Sequence, residues 1–126
     1  MKRVTGIGGI FFRAENPAML KQWYIDHLDI PVDDDGYVCF YFNKKDEPAD
    51  KGFAVWEPFD ENTDYFDPSD KQFMINFRVD NLMALLEKLR EEGVDVDDNV
   101  EEQDYGKFGW IMDPEGNKIE LWEPAD

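Results

Sequence analysis

The first half of the chain changes from strand-like to helix-like periodicity and back again. Asn16 is placed to cap a helix, and Pro17 suits its first turn because no backbone donor is needed there. Apolar and aromatic side chains then recur three or four residues apart, at Leu20, Trp23, Tyr24, His27 and Leu28. The pattern predicts a strand, a helix and two further strands, over 7–13, 17–28, 37–42 and 52–59.

The second half repeats this order. Asp80 or Asn81 is expected to cap a helix, and Gly93 is expected to end it. The apolar stripe of this helix consists of Leu82, Leu85, Leu86 and Leu89. Strands are predicted over 72–79, 94–96, 107–112 and 118–123, with a turn at 113–117. We therefore expect one α+β domain over residues 1–126, with one module at about 5–59 and a second at about 72–124.

Residues 60–71 connect the two modules. They contain Tyr65, Phe66 and Pro68 among several acidic residues. Two interpretations fit this composition: an ordinary polar connection, or a lid over a functional site.

Alternation along the strands assigns side chains to the two faces of the sheet. One set is apolar and should face the helices: Ile10, Phe12, Ile75, Phe77, Val79, Ile119 and Leu121. The other set mixes aromatic, cationic and carboxylate groups: Gly9, Phe11, Arg13, Met74, Asn76, Arg78, Lys118, Glu120 and Trp122. Such a mixture is typical of a ligand cleft, and Trp110 is a further candidate because its strand lies near Glu120. The predicted ligand-binding residues are Phe11, Arg13, Met74, Asn76, Arg78, Trp110 and Trp122.

Charge limits the classes of partner. The 126 residues include 30 acids and 13 Lys or Arg residues, which gives a formal net charge of -17. Nucleic acids and anionic membranes are therefore not expected as partners, because phosphate binding needs a basic surface. The acidity is expected either to keep the surface solvated or to attract a cationic ligand. The sequence shows neither a secretory signal nor a membrane-spanning segment, so a cytoplasmic protein is expected.

Two stretches carry a resemblance to a known superfamily. They are the Asn16-Pro17 helix start that leads to Trp23-Tyr24, and the run Asp-Pro-Glu-Gly-Asn-Lys-Ile-Glu-Leu at 113–121. Together with the repeated element order, they resemble the vicinal-oxygen-chelate proteins, which include glyoxalases, bleomycin-resistance proteins and extradiol dioxygenases. The resemblance implies two tandem βαβββ modules that form a curved, mixed, cup-shaped sheet with the helices on its outer face. It also implies a homodimer and a small-molecule ligand.

The resemblance also identifies the positions where metal-dependent members hold their ion. Those members use His or Gln on the first strand of each module and Glu on the last. The corresponding residues here are Gly9 and Met74 on the first strands, and Glu57 and Glu120 on the last. Neither glycine nor methionine suits a hard divalent ion, so no metal cofactor is expected; any metal would have to use Glu57 and Glu120.

Several roles for Glu57 and Glu120 remain open. They are candidates to receive a cationic ligand group, to act as a general acid or base, or to pair with Arg13, Arg78 or Lys118. The first functional hypothesis is a metal-independent binding protein. The second is a lyase, isomerase or dioxygenase that uses both carboxylates. The third is an interaction module whose cleft is closed by side chains. His27 is the only histidine, which argues against a histidine-based metal centre.

Overall fold

The chain folds as two successive strand and helix units, in the order that the sequence predicts. A computed structural model describes residues 3–42 and 52–125. In these ranges the elements are β1 (Val4–Ala14), α1 (Pro17–Leu28), β2 (Val38–Tyr41), β3 (Phe53–Asp60), β4 (Phe73–Val79), α2 (Leu82–Glu91), β5 (Asp95–Gln103), β6 (Gly106–Met112) and β7 (Lys118–Pro124).

Asparagine side chains begin both helices. The side chain of Asn16 accepts a hydrogen bond from the Met19 amide at 3.2 Å, and Asn81 accepts one from the Ala84 amide at 3.1 Å. Each bond satisfies one of the backbone donors that a helix leaves free in its first turn. The predicted Asn16 cap is confirmed, and the second cap is Asn81, not Asp80. Gly93, with a φ of 80°, follows α2 as predicted.

A single mixed sheet joins the two modules. Its strand order is β2-β3-β1-β4-β7-β6-β5. The first strands of the modules, β1 and β4, pair antiparallel at its centre, and each also pairs in parallel with the last strand of its own module. The sheet is open and curved, which confirms the predicted α+β fold. In the first module, the described residues form two strands after α1, β2 and β3, and Val32 makes an isolated antiparallel bridge to Val38.

Strand β5 is much longer than predicted. A short strand was expected over 94–96, but β5 runs from Asp95 to Gln103 along the edge of the sheet. Its run of acidic residues hides the strand in the sequence, because charged side chains are tolerated on an edge strand that is open to solvent. Val96 and Val100 anchor it by packing against the core under α2.

The best-packed core lies between α2 and the sheet. It consists of Val79, Leu82, Leu85, Leu86 and Leu121. Phe77 and Ile119 pack against this cluster, so the predicted face is confirmed for these strand residues. In the part of the chain that the structure describes, no helix is long and apolar enough to cross a membrane.

Candidate functional site

The sheet face opposite the helices, here called the inner face, carries the predicted site residues. Phe11 pairs with Met74, and Asn76 pairs with Glu120, in neighbouring strands of the sheet. Met74 and Trp110 belong to a cluster separate from the core under α2. Alternation in the strands thus brings Phe11, Met74, Asn76, Trp110 and Glu120 to one surface.

Glu120 lies buried at the centre of the inner face of module two, with 2% of its surface exposed. Asn76 Nδ2 donates to Glu120 Oε1 at 2.7 Å, and Trp110 Nε1 donates to Glu120 Oε2 at 2.9 Å. The Tyr65 hydroxyl also donates to Oε2. Three neutral donors on three different segments therefore hold this carboxyl group in place.

Burial dominates the acid–base properties of this cluster. It raises the pKa of Glu120 above the ordinary value of 4.5, although the three hydrogen bonds and the charge of Lys118 act in the opposite direction. The pKa of Tyr65 is also raised, first by burial and then by the charge of Glu120. A carboxyl group whose pKa is raised by burial keeps its proton to a higher pH than an exposed one, and such groups are candidates for proton transfer.

Residues 61–72, which link β3 to β4, cover this cluster. Phe66 is completely buried and packs with Met74 and Trp110. Tyr65 lies against Phe59 and Trp110, with ring centroids 5.5 and 6.2 Å away. The segment is thus more than a polar connection, because its two aromatic residues fill the inner face of module two.

Two cations of the inner face hold this segment. Arg13 donates to the carbonyl oxygens of Glu61 and Ser69, at 3.2 and 3.3 Å, and its guanidinium lies 5.2 Å from the centroid of the Phe66 ring. Lys118 Nζ donates to the Tyr65 carbonyl oxygen at 2.7 Å. Of the roles left open for Glu57 and Glu120, hydrogen bonding to Arg13 or Lys118 is not seen; both cations donate to backbone carbonyls of the connecting segment.

A second aromatic group surrounds Trp122. Its ring is stacked on Phe108 with centroids 5.9 Å apart, and the Phe53 ring meets it edge-on at 5.2 Å. The Arg78 guanidinium lies 5.3 Å from the Trp122 centroid and donates to the Phe53 carbonyl oxygen at 3.1 Å. Arg78, like the other two cations, bonds no carboxylate among the interactions seen. Trp122 is buried, whereas Phe53, Arg78 and Phe108 are half-buried.

Glu57 has a different partner. Lys21 of α1 forms an ion pair with Glu57 Oε1 and also donates to the Gly36 carbonyl oxygen at 3.0 Å. The two side chains are only 20% and 14% exposed, for Lys21 and Glu57 respectively. Glu57 and Glu120 share no hydrogen-bond partner among the described residues, so the structure does not join them into one site.

The residues present do not fit the metal centre that the superfamily implies. A Cβ at Gly9 would lie 3.0 Å from the Val55 carbonyl oxygen and 3.1 Å from the Phe11 ring, so a ligand side chain has little room there. Met74 is packed among aromatic rings, and Glu57 is paired with Lys21. Within 3–42 and 52–125, no three His, Cys, Asp or Glu side chains are grouped so that they could hold an ion.

The two halves of the inner face differ in how open they are. In module two, Met74, Asn76, Trp110, Glu120 and Trp122 are all buried. In module one, the side chains stay half-buried at Phe11, Phe53, Val55 and Phe59. Two surface depressions, of about 420 and 250 Å³, are lined by neither Glu57 nor Glu120.

Sequence reasoning missed several residues of this surface. Tyr65 and Phe66 were noticed only as members of a connection, and Lys21, Phe53 and Phe108 were not singled out. The adjacent aromatic pair in an otherwise acidic connection was the available signal, because exposed loops seldom carry two large aromatic residues. The Lys21 partner of Glu57 lies on another element and gives no local signal.

Comparison with known proteins identifies the family. A family model described as "Glyoxalase-like domain" matches residues 9–122. No curated protein matches the sequence. Methylmalonyl-CoA epimerase from Mycobacterium tuberculosis is 22% identical with a TM-score of 0.67, and the alignment covers 100% of this chain and 92% of that one. A Streptomyces coelicolor methylmalonyl-CoA epimerase variant in complex with 2-nitronate-propionyl-CoA is 14% identical with a TM-score of 0.72, covering 98% and 99%.

An NAD-dependent benzaldehyde dehydrogenase from Legionella pneumophila is also similar, at 14% identity and a TM-score of 0.60, with 93% of this chain and 98% of that chain covered. At these identities the structural matches show a shared fold only. The family model, in contrast, spans most of the sequence. The chain therefore belongs to the glyoxalase-like domain family, within the vicinal-oxygen-chelate superfamily.

Proposed function

We propose that this chain binds a small organic ligand on its inner face without a metal centre, in the cytoplasm and as a homodimer. The observation that carries the proposal is the half-buried aromatic surface of module one, formed by Phe11, Phe53 and Phe59. Curved, aromatic-lined surfaces with a few fixed polar groups are the usual places where proteins bind small molecules.

The predicted ligand residues divide into two groups in this proposal. Phe11 and Arg78 are half-buried, so they are available for direct contact with a ligand. Met74, Asn76, Trp110 and Trp122 are buried and support the surface from beneath. Arg13 holds the connecting segment through two carbonyl bonds and so fixes one wall of the site.

The charge of the chain indicates the class of ligand. With a net charge of -17, the protein attracts cations and repels anions over several ångströms. Aromatic faces stabilise cations and stack on planar rings. A planar aromatic cation therefore fits the proposed surface better than a phosphorylated or carboxylated molecule.

A thermal-shift and calorimetric experiment tests this proposal with berberine and bleomycin as probes. At least one probe is expected to raise the melting temperature of the wild-type protein, because it binds the folded state alone. Phe53→Ala should weaken that binding roughly tenfold, since an aromatic contact is lost. Phe40→Ala is the matched control, because Phe40 pairs with Ala54 and so faces the other side of the sheet. Equal binding to both variants, or no stabilisation by either probe, contradicts the proposal.

A proton-transfer enzyme is the second candidate, and Glu120 favours it. Its raised pKa and its contact with Tyr65 resemble the arrangement of a general base beside a proton donor. Several of the structural neighbours are methylmalonyl-CoA epimerases, and epimerisation next to a carbonyl group removes a proton and returns it. Tyr65 and Phe66 would have to move before a substrate could reach Glu120.

Deuterium uptake separates the two candidates. The purified protein is incubated with methylmalonyl-CoA in heavy water, and mass spectrometry follows the substrate. An enzyme of this kind incorporates deuterium, and Glu120→Gln abolishes the incorporation. Ligand stabilisation without any deuterium uptake from this substrate leaves the binding protein as the supported candidate.

A further inference from the structure

The three groups that donate hydrogen bonds to Glu120 differ in how firmly the fold holds them. Asn76 lies on β4 and Trp110 on β6, and only 2% and 4% of their surfaces are exposed. Tyr65 lies outside the strands, on the segment that links β3 to β4, and it is half-buried. A buried strand residue cannot leave without disturbing the sheet, whereas a half-buried side chain on a connection can rotate into solvent. Tyr65 is therefore the replaceable donor.

The backbone around Tyr65 is fixed by contacts that do not involve the Tyr65 side chain. Phe66 is completely buried, and Arg13 donates to carbonyl oxygens on both sides of it. Lys118 donates to the carbonyl oxygen of Tyr65. In the part of the chain that the structure describes, the Tyr65 hydroxyl makes one hydrogen bond, the one to Glu120. The ring can therefore leave while the backbone and Phe66 stay in place.

Rotation of the Tyr65 side chain would uncover a pocket of defined chemistry. Its walls are the rings of Phe59 and Trp110, whose centroids lie 5.5 and 6.2 Å from that of Tyr65. Lys118 Nζ lies 5.5 Å from the Tyr65 centroid, and Glu120 Oε2 accepts the hydroxyl hydrogen bond at the far end. Aromatic walls, one cation against the ring and one acceptor at the end suit a hydroxylated aromatic ring.

Charge limits the ligand to a neutral one. Burial and then the charges of Glu120 and Glu101 raise the pKa of Tyr65, so the pocket favours a protonated hydroxyl group. An aromatic carboxylate would bring a second negative charge beside Glu120, and an aromatic cation would be repelled by Lys118. A ring without a hydroxyl group would leave the buried carboxyl group one donor short. A neutral phenol avoids all three penalties.

We propose that the inner face of module two holds a binding pocket for a neutral phenol, and that the Tyr65 side chain fills this pocket as an internal mimic until a free phenol replaces it. The para substituent of the ligand would lie where Cβ leaves the Tyr65 ring, toward the connecting segment. The pocket adjoins module one through Phe59, whose ring centroid lies 5.4 Å from that of Phe11. It is a site in addition to the proposed function and does not depend on whether a planar cation binds there.

A side chain of the same molecule is a strong competitor for the pocket. The tether gives the Tyr65 ring an effective concentration on the order of millimolar or more. The apparent affinity of a free phenol is lowered by the fraction of time for which the ring occupies the pocket. Removal of the ring should therefore strengthen phenol binding, whereas removal of an ordinary ligand-contacting residue would weaken it.

Calorimetric titration with p-cresol tests the proposal, because p-cresol is the tyrosine side chain cut at Cβ. Tyr65→Ala should bind p-cresol roughly tenfold more tightly than the wild type, or tighter still, because the tethered ring no longer competes. Tyr65→Phe keeps the ring but loses the bond to Glu120, so its Kd should lie between the two. Tyr105→Ala is the matched control: Tyr105 is 59% exposed and packs on Phe108, and its loss should leave the Kd unchanged. Equal Kd values for the wild type and Tyr65→Ala overturn the role of Tyr65 as a competitor.

Toluene separates recognition of the hydroxyl group from simple filling of the space that Tyr65→Ala creates. It has the ring and the methyl group of p-cresol and lacks only the hydroxyl group. Tyr65→Ala should bind p-cresol roughly tenfold more tightly than toluene, because toluene offers Glu120 no donor. Equal binding of the two probes would show an apolar cavity and not a phenol pocket.

The wild-type protein is the decisive sample, because the pocket must open without any substitution. In a ¹H–¹⁵N spectrum, the indole N–H signal of Trp110 should shift saturably as p-cresol is added, since this group bonds the same carboxyl oxygen as Tyr65. Trp110→Phe identifies the signal by its loss. The absence of a saturable shift overturns the proposal whatever the variants do.

Circular dichroism establishes that each variant is folded before its Kd is interpreted. If Tyr65→Ala is unfolded, Tyr65→Phe makes the comparison with the wild type, because its ring still fills the space. Failure of berberine and bleomycin to bind changes none of these outcomes, so the ligand surface of module one and the phenol pocket of module two are tested separately.

Discussion

The last strand of each module carries a glutamate at the corresponding position, Glu57 on β3 and Glu120 on β7, and the surroundings of these two side chains differ. Glu57 pairs in register with Phe11 and forms an ion pair with Lys21. Glu120 pairs in register with Asn76 and receives hydrogen bonds from neutral groups only. The same position in a repeated module thus supports a neutralised charge in one half and a buried carboxyl group with a raised pKa in the other.

The two halves of the inner face also differ in which side chains shield them from solvent. Residues 65 and 66 lie on the inner face of module two and exclude solvent from Glu120. Module one keeps half-buried aromatic residues on its inner face. The inner-face residues Val55 and Phe59 on either side of Glu57 are therefore half-buried, whereas Trp122 and the partners Asn76 and Trp110 around Glu120 are buried.

Truncation of Phe66, which covers the inner face of module two, is expected to change the stability of the protein most. Phe66→Ala should lower the free energy of unfolding by about 3–5 kcal/mol, because it opens a cavity beside Met74 and Trp110. Phe40→Ala, at a side chain that is 40% exposed, should lower it by about 1 kcal/mol or less. Urea denaturation of both variants measures the difference. Similar losses for the two would show that Phe66 is a dispensable surface contact.

Removing the cation of module one gives the next largest effect. Lys21→Met should lower the free energy of unfolding by about 1–3 kcal/mol, because it leaves the mostly buried Glu57 carboxylate without its partner. Lys88→Met is the matched control on α2: the Lys88–Glu91 pair is exposed at both ends, and its loss should change stability by about 0.5 kcal/mol or less. An equal effect of the two substitutions would mean that Glu57 is as well solvated as Glu91.

The buried carboxyl group of Glu120 should make the free energy of unfolding depend on pH. The pKa of Glu120 is raised in the folded protein above its ordinary value of 4.5. As the pH rises past 4.5, the unfolded chain loses this proton first, so the contribution of Glu120 to stability falls until the folded protein also loses it. Glutamine does not titrate. The stability of the wild type relative to Glu120→Gln should therefore decrease with rising pH above 4.5.

Urea denaturation of both proteins at a series of pH values measures this trend. The many other carboxylates of the chain are common to both proteins, so their contributions cancel in the difference. A difference that stays constant or grows with rising pH would show that the three hydrogen bonds outweigh burial at Glu120.

The parts of the fold that the sequence predicts are those determined by residues close together in the chain. Asn16, Asn81 and the periodic leucines determine the helices through contacts within a few residues, and strand alternation places Glu120 and Asn76 on one face. Contacts between distant segments are not encoded locally. The Tyr65 contact with Glu120 spans 55 residues, and the Lys21 contact with Glu57 spans 36. Both contacts depend on where the connecting segment and α1 pack against the sheet.

The smallest expected effect concerns metal content, because no bound metal is expected. Glu57 is engaged by Lys21, Glu120 is saturated by neutral donors, and Gly9 and Met74 supply no ligand for a hard ion. Elemental analysis of protein purified without chelator should find zinc, nickel and iron well below one equivalent, and added EDTA should leave the melting temperature unchanged. One equivalent of metal that is lost on Glu120→Gln, but kept on Glu115→Gln in the exposed turn, would show that the carboxyl group of module two is a ligand. The different surroundings of Glu57 and Glu120 would then result from metal binding by Glu120 and not from its burial.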